Sequence, residues 1–389
     1  MIETEILPRV APEEVGLSAP ALDRLTQVFQ SEVERNRLPG AVAVIARRGK
    51  IAYFESVGFR DKSLGAPMGL GSIFRIYSMT KCVTSVAAMM LWEEGHFTLL
   101  DPIGRYIPEL AKLTVAGNPP IPAVADVTIQ DVLRHTAGFH YGTTGDPLLD
   151  EPYNATGAQG LDHTNAELMG KLSRAPLAHH PGAGWEYGRS TEVLGRLVEV
   201  ISGQTLDRFF QERILGPLGM VDTGFAVTEP NHKRIAEPFP NDPDTGEEIR
   251  LIDIRRMPKL LMGGAGLAST AIDYARFAQM LLNGGSLGET RILSPRTVAY
   301  MASDHLGPIT APRYMPGPGY GFGLGFFVRL NMGVAPHPGS IGDFGWNGVA
   351  GTSFWVDPQE EMIAVLLTQV WTQRRFYRAL FRNLVYAAL

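Results

Sequence analysis

Apolar residues recur at helical spacing between Ala19 and Arg35, where Leu22, Leu25, Val28, Phe29 and Val33 predict one amphipathic helix. Leu38-Pro39-Gly40 then breaks the chain. Two strand-like runs follow, Ala41–Ala46 and Ile51–Val57, and Arg48-Gly49-Lys50 between them reads as a hairpin turn. The far end of the chain has the same pattern. Gly351–Val356 and Met362–Gln369 predict a second hairpin around Asp357-Pro358, and Gln373–Ala388 predicts a closing helix. The middle differs: residues 78–220 carry helical patterns separated by loops rich in Pro, Gly and Asn. The expectation is therefore an α/β (α+β) fold, with an antiparallel sheet flanked by helices and a mainly helical insertion. Residues 1–75 with 255–389 form the α/β part and 76–254 the helical part of one domain spanning 1–389. Residues 229–260 and 302–320, rich in Pro, Asp, Gly and Arg, predict long loops, and no internal repeat interrupts the scheme.

Composition narrows the function classes. The 389 residues are 45% hydrophobic and 19% charged, which is globular and excludes wholesale disorder. A net charge of −5 leaves no electrostatic footprint for nucleic acid or an anionic membrane. One cysteine makes neither a disulfide nor a cysteine-based zinc site. The opening MIETEILPRV has no basic region before an apolar run, and no apolar stretch approaches the roughly 18 residues of a membrane span. A cytoplasmic enzyme is the expectation, with its oligomeric state left open.

The chain contains only seven lysines, and one of them closes Ser78-Met79-Thr80-Lys81. This tetrapeptide opens a nearly uncharged helical run, Met79–Trp92, which ends in Glu93-Glu94-Gly95 with glycine at the C-terminal cap. Residues three apart share a helical face, so Lys81 stands beside the Ser78 hydroxyl. On a buried helix the lysine is expected to lose affinity for its proton, which lets a neutral amine accept the serine proton. Backbone N–H groups at the helix start favour an oxyanion. The same four residues also suit a serine that caps the helix and a lysine that reaches outward. Tyr187, in the turn Pro181–Gly195 before another helical pattern, is either a lid on the core or a general base if it meets Ser78 and Lys81.

Taken together, Ser78-x-x-Lys81 and Tyr187 resemble the serine β-lactamase superfamily, in the branch of class C β-lactamases, DD-peptidases and family VIII carboxylesterases. Four further stretches match that branch in order over roughly residues 20–388. Leu133-Arg-His-Thr-Ala-Gly-Phe139 is similar to L-x-H-T-S-G-L, and Pro181-Gly182 to Leu194-Gly195 is similar to its P-G…Y…L-G segment. Gly263 to Asp273 resembles G-G-L-x-S-T-x-x-D, and Phe344 to Gly351 resembles the last active-site strand. The resemblance implies a β-lactamase/DD-peptidase-like fold with Ser78 as nucleophile and Lys81 and Tyr187 as the general-base pair. It implies an oxyanion hole from the N–H groups of Ser78 and Val349, and substrate contacts from Trp346, Asn347 and Gly348. No cofactor and no metal are needed for that chemistry. Two departures discriminate within the branch. Tyr187-Gly188-Arg189 lacks the asparagine of Tyr-x-Asn, and Trp346-Asn347-Gly348 replaces Lys-Thr-Gly or His-Thr-Gly, which removes the cation from the strand. An aromatic there suits an apolar ester, so the resemblance points to a carboxylesterase of small to medium acyl esters. A β-lactamase or DD-peptidase, or an acyltransferase on the same scaffold, is the alternative.

Other chemistry fits less well. Gly284-Gly285-Ser286-Leu287-Gly288 matches the nucleophile elbow of α/β-hydrolases, but Tyr274–Asn283 before it reads as a helix where a strand is required. The nine histidines show no metal-ligand spacing, and His135/His140 and His179/His180 read as loop or capping residues. Cys82 reads as a small core residue and Asp131 as part of a helix start.

Overall fold

Strands from both ends of the chain meet in one sheet in the computed structural model, which describes residues 7–309 and 317–389. The first six residues, read for a leader, and the centre of the loop expected over 302–320 lie outside the described residues. Helix α1 (Ala19–Glu34) starts where the Ser18 hydroxyl accepts from the Ala21 N–H, and it buries Leu22, Leu25, Phe29 and Val33. Strands β1 (Gly40–Arg47) and β2 (Lys50–Asp61) are joined by Arg48 and Gly49, with φ of 53° and 73°, the two positive values that a tight two-residue hairpin turn demands. A short β3 (Ala66–Pro67) follows. At the other end lie β4 (Tyr320–Phe322), β5 (Phe327–Arg329), β6 (Phe344–Asn347), β7 (Ser353–Asp357) and β8 (Met362–Thr368). The antiparallel order is β4-β5-β6-β7-β8-β1-β2-β3, with Ala41 of β1 opposite Thr368 of β8. In the β7–β8 turn, the Asp357 carboxylate accepts from the N–H groups of Gln359 and Glu360.

Strand β1 is buried at every position except its last, so it carries apolar residues without alternation, as a strand covered on both faces must. Helices α1 and α10 (Arg374–Tyr386) cover one face, and α8 (Ala271–Leu282), which α9 (Pro295–Met301) follows, packs on β1, β7 and β8. The intervening chain holds α2 (Thr80–Glu93), α3 (Ile129–Leu133), α4 (Pro147–Ala155), α5 (Asn165–Leu172), α6 (Ser190–Ser202) and α7 (Leu206–Phe210). The segment expected to loop over 229–260 contains one helical turn, Glu229–Arg234, and is otherwise irregular.

Helix α2 is the pivot. Every residue from Thr80 to Leu91 is buried, and α6 and α7 pack against it. Each fully buried Val, Leu or Met side chain contributes roughly 1.5–3 kcal/mol, enough in sum to hold a lysine in the same helix out of water. Gly95, with φ 80°, ends the helix as expected. The two-residue strands Phe74–Arg75 and Ala268–Ser269 pair just before α2 and bring the glycine-rich stretch at 263–266 against it. No helix among the described residues is long and apolar enough to cross a membrane.

Candidate active site

Ser78 sits in a single helical turn, Tyr77–Met79, directly before α2. Tyr77 has φ 45°, a left-handed conformation that a bulky residue rarely adopts, and its phenol accepts from the Ile252 N–H at 3.1 Å. The helix therefore starts abruptly, and the Ser78 side chain caps nothing: the first turn of α2 has no side-chain cap. Capping, one of the two roles open to Ser78, is absent. Lys81 is 1% exposed, so it does not reach outward.

Lys81 Nζ spends its three protons inside the fold. It donates to the Gly264 carbonyl at 2.7 Å, the Tyr141 phenol at 3.0 Å and the Ser78 hydroxyl at 3.4 Å, and it stands 4.7 Å from the centre of the Tyr187 ring. The sequence led us to expect a lysine stripped of its proton by burial. Burial does press that way, but the Tyr141 and Tyr187 oxygens and the Glu192 carboxylate together act against it and raise the pKa, which favours the ammonium. Burial likewise raises Tyr141 and keeps it a phenol.

Tyr187 stands in the turn before α6, as its motif required, and its oxygen accepts from the Trp346 indole N–H at 3.2 Å. Trp346, on β6 and 5% exposed, packs at 5.5 Å on Tyr187 and 5.3 Å on Phe322. The structure thus brings Ser78, Lys81, Tyr187 and Trp346 together. Asn347 ends β6 opposite Ser353, and the Gly348 N–H donates to the Thr352 carbonyl at 2.9 Å. A side chain at Gly348 would collide with Thr352 and the Ile76 carbonyl, so only glycine lets this strand end come so close to the Ser78 turn. Among the described residues the Val349 backbone N–H, which lies outside any helix or strand, has no backbone hydrogen-bond partner.

Several residues at the site were not singled out in the sequence. Tyr141 lies two positions beyond the Leu133–Phe139 motif, and that nearness was the only available signal. Arg378 of α10 donates to the Gly348 carbonyl, so a cation does reach the strand end that the sequence left uncharged. Burial and then Arg374 lower its pKa to about 9. His135, with φ 61°, was read as a bland loop residue; its ring is packed 5.1 Å from Tyr187 and 5.9 Å from Trp185, and burial followed by Lys81 lowers its pKa to about 3. His140 fits the loop reading: its ring bonds the Gly142 N–H and the Pro176 carbonyl.

Away from the site the simpler readings hold. Ser286 belongs to the small hairpin Ser286–Leu287/Thr290–Arg291, and it follows helix α8 where an elbow needs a strand. Asp131 forms a reciprocal cap with Thr128 at the start of α3. Cys82 is fully buried and its thiol is raised by burial. No cluster of three or more potential metal-ligating side chains occurs among the described residues.

A fold of this topology, with a serine in the turn before a buried helix and a lysine in that helix's first turn, defines the serine hydrolases of the penicillin-recognising type. The Beta-lactamase family model matches residues 25–387, and the chain belongs to that family. It is 36% identical to Protein Rv1367c of Mycobacterium tuberculosis, over 85% of this chain and 86% of that one. It is 32% identical to Esterase EstB of Burkholderia gladioli, over 92% and 93% of the two chains. Among solved structures it is similar to EstCE1, described as a hydrolase with promiscuous acyltransferase activity. That match has 28% identity and a TM-score of 0.82 and covers 94% of this chain and 99% of that one.

Proposed function

We propose that the protein is a carboxylesterase that hydrolyses small to medium acyl esters through an acyl-enzyme on Ser78. The observation that carries this reading is the contact of Lys81 Nζ with Ser78 Oγ at 3.4 Å beneath a tyrosine bonded to Trp346, the residue that replaces the strand cation of lactam-recognising relatives. In this reading Tyr187 acts as the phenolate, with the Lys81 ammonium 4.7 Å from its ring and the Trp346 N–H bonded to its oxygen, and as Ser78 Oγ attacks the ester carbonyl the hydroxyl proton passes to that oxygen. The tetrahedral oxyanion rests on the Ser78 and Val349 N–H groups. The proton then goes to the departing alcohol, and water repeats the sequence to free the acid. The correction at Lys81 matters here: an ammonium supplies charge and direction, so Tyr187 carries the proton. Trp346, Asn347 and Gly348 line the substrate side. The whole chain acts as one catalytic unit, its α/β part (1–75 with 255–389) and its helical part (76–254) meeting at Ser78. Acyl transfer to an alcohol is the second reading, favoured by the likeness to EstCE1, and it shares every step up to the acyl-enzyme.

The test compares p-nitrophenyl esters of graded acyl length with a chromogenic cephalosporin. Ser78→Ala should abolish ester turnover, while Ser286→Ala should keep it within twofold or so of the parent. Faster cephalosporin turnover would overturn the substrate class. Full activity in Ser78→Ala would overturn the mechanism.

A further inference from the structure

The residues behind Lys81 form a second, buried layer of charge that the catalytic reading does not use. Tyr187 and Arg189 lie in the turn before α6, and Glu192 lies in its first turn, where the positive helix end favours a carboxylate. Arg189 donates to Glu192 Oε1 at 3.2 Å, to the Tyr153 phenol at 3.0 Å and to the Ala158 carbonyl at 3.3 Å. Both partners are buried, at 8% and 3% exposure. The second Glu192 oxygen has no hydrogen-bond partner among the described residues. It faces Gly264: a Cβ there would stand 2.6 Å and 2.7 Å from the two carboxylate oxygens. The carbonyl of that same glycine receives the shortest hydrogen bond from Lys81. A bare glycine therefore lets the Glu192 carboxylate pack on the same residue whose carbonyl Lys81 holds.

The charges around Lys81 can be followed element by element. Ser78 in the turn before α2, Tyr141 after α3, and Tyr153 on α4 are neutral donors or acceptors. His135 is neutral through burial. The glycine-rich stretch offers only the Gly264 carbonyl, β6 offers the Trp346 N–H, and α10 brings Arg378 to Gly348. Tyr187, in the turn before α6, stands with its ring 4.7 Å from Lys81 Nζ. Glu192 joins Tyr141 and Tyr187 in raising the Lys81 pKa, and Arg189 is its paired cation.

We propose that the buried Arg189–Glu192 pair is a positioning element for catalysis: Glu192 keeps Lys81 an ammonium, and Arg189 offsets Glu192 so that this second layer does not oppose negative charge on the tyrosine side. Arg189 occupies the position where Tyr-x-Asn relatives keep a neutral amide, so the pair exchanges a recognition group for an electrostatic one. This rests on the esterase reading for its kinetic consequence, while the charge state of Lys81 can be measured without turnover.

With only seven lysines, [ε-13C]lysine labelling resolves Lys81 by NMR, assigned through Lys81→Arg. In the full-length parent the Lys81 signal should stay at its ammonium position throughout a titration to about pH 10, near the ordinary lysine midpoint. In Glu192→Gln the lysine is buried beside an uncompensated Arg189, so it should titrate within that range, and kcat/KM should fall on the alkaline side at the same midpoint. Glu192→Asp, which keeps the charge, should restore the parental titration. The apolar double variant Arg189→Met/Glu192→Met leaves no unpaired charge and is the variant expected to keep the fold; its Lys81 should also titrate early, by a smaller margin. A Lys81 signal that stays at the ammonium position in both folded variants overturns the proposal and makes the pair purely structural. Repeating the titration in Ser78→Ala separates this outcome from failure of the esterase mechanism, which has its own assay.

Discussion

Trp346→Phe isolates the hydrogen bond that ties β6 to Tyr187, the base in the proposed mechanism. The substitution keeps an aromatic ring in contact with Phe322 and Phe327 but removes the donor 3.2 Å from the Tyr187 oxygen. While the tyrosine oxygen is the anion that accepts the Ser78 proton, that donor is worth about 1.5–3 kcal/mol. Once the oxygen is protonated the bond joins two neutral groups and is worth about 0.5–1.5 kcal/mol. The loss in the charged state corresponds to a fall in kcat of roughly tenfold to a hundredfold. The missing part of the indole leaves a small cavity at a residue that is 5% exposed, so some loss of stability accompanies it. Two measurements separate the effects: kcat on p-nitrophenyl butyrate at saturation, and the urea midpoint. A pocket role alone would raise KM and spare kcat. A variant that folds, and whose kcat stays within threefold or so of the parent, would refute the assigned bond.

Two further substitutions probe the neighbours. Tyr141→Phe removes the 3.0 Å partner of Lys81 and should lower kcat/KM by about tenfold with little change in folding, measured against the same esters. His135→Asn tests the acid side. His135 has a folded pKa of about 3, below its unfolded value, so the unfolded chain binds the extra proton between about pH 6.5 and 3. Its contribution to stability is complete above that window and is lost as pH falls through it, by about 1.4 kcal/mol per unit. Asparagine tolerates the φ of 61°, so in His135→Asn the stability measured from pH 7 to 4 should fall less steeply, by about one proton. An unchanged slope would show that His135 is not held neutral.

What could be read from the sequence followed local rules. The hairpin at Arg48-Gly49, helix α1 and the β7–β8 hairpin depend on spacing and turn residues within a few positions, and their bounds were close. Ser78 and Lys81 were visible because residues three apart in a helical run share a face. Tyr187 was visible only through its ordered motif. Groups that meet across elements left no such trace. Tyr141 reaches Lys81 from a loop sixty residues away, and Arg378 reaches Gly348 from a helix beyond β8. The Lys81 charge differs from the expectation for the same reason: burial is legible in an apolar helix, but Tyr141, Tyr187 and Glu192, which reverse its effect, come from other elements.

The pairing of β1 with β8 also sets an order in time. Ala41 cannot meet Thr368 until the ribosome has added the intervening residues, on the order of tens of seconds at typical rates of synthesis. Until then β1, with apolar residues on both faces, has a hairpin partner in β2 on one side and an open edge on the other. Ser78 and helix α2 emerge well before Trp346 and Gly348, which lie more than 260 residues further on. The nascent polypeptide therefore carries Ser78 through that interval without the strand that packs over it, and β8, which closes the β1 edge, follows soon after that strand.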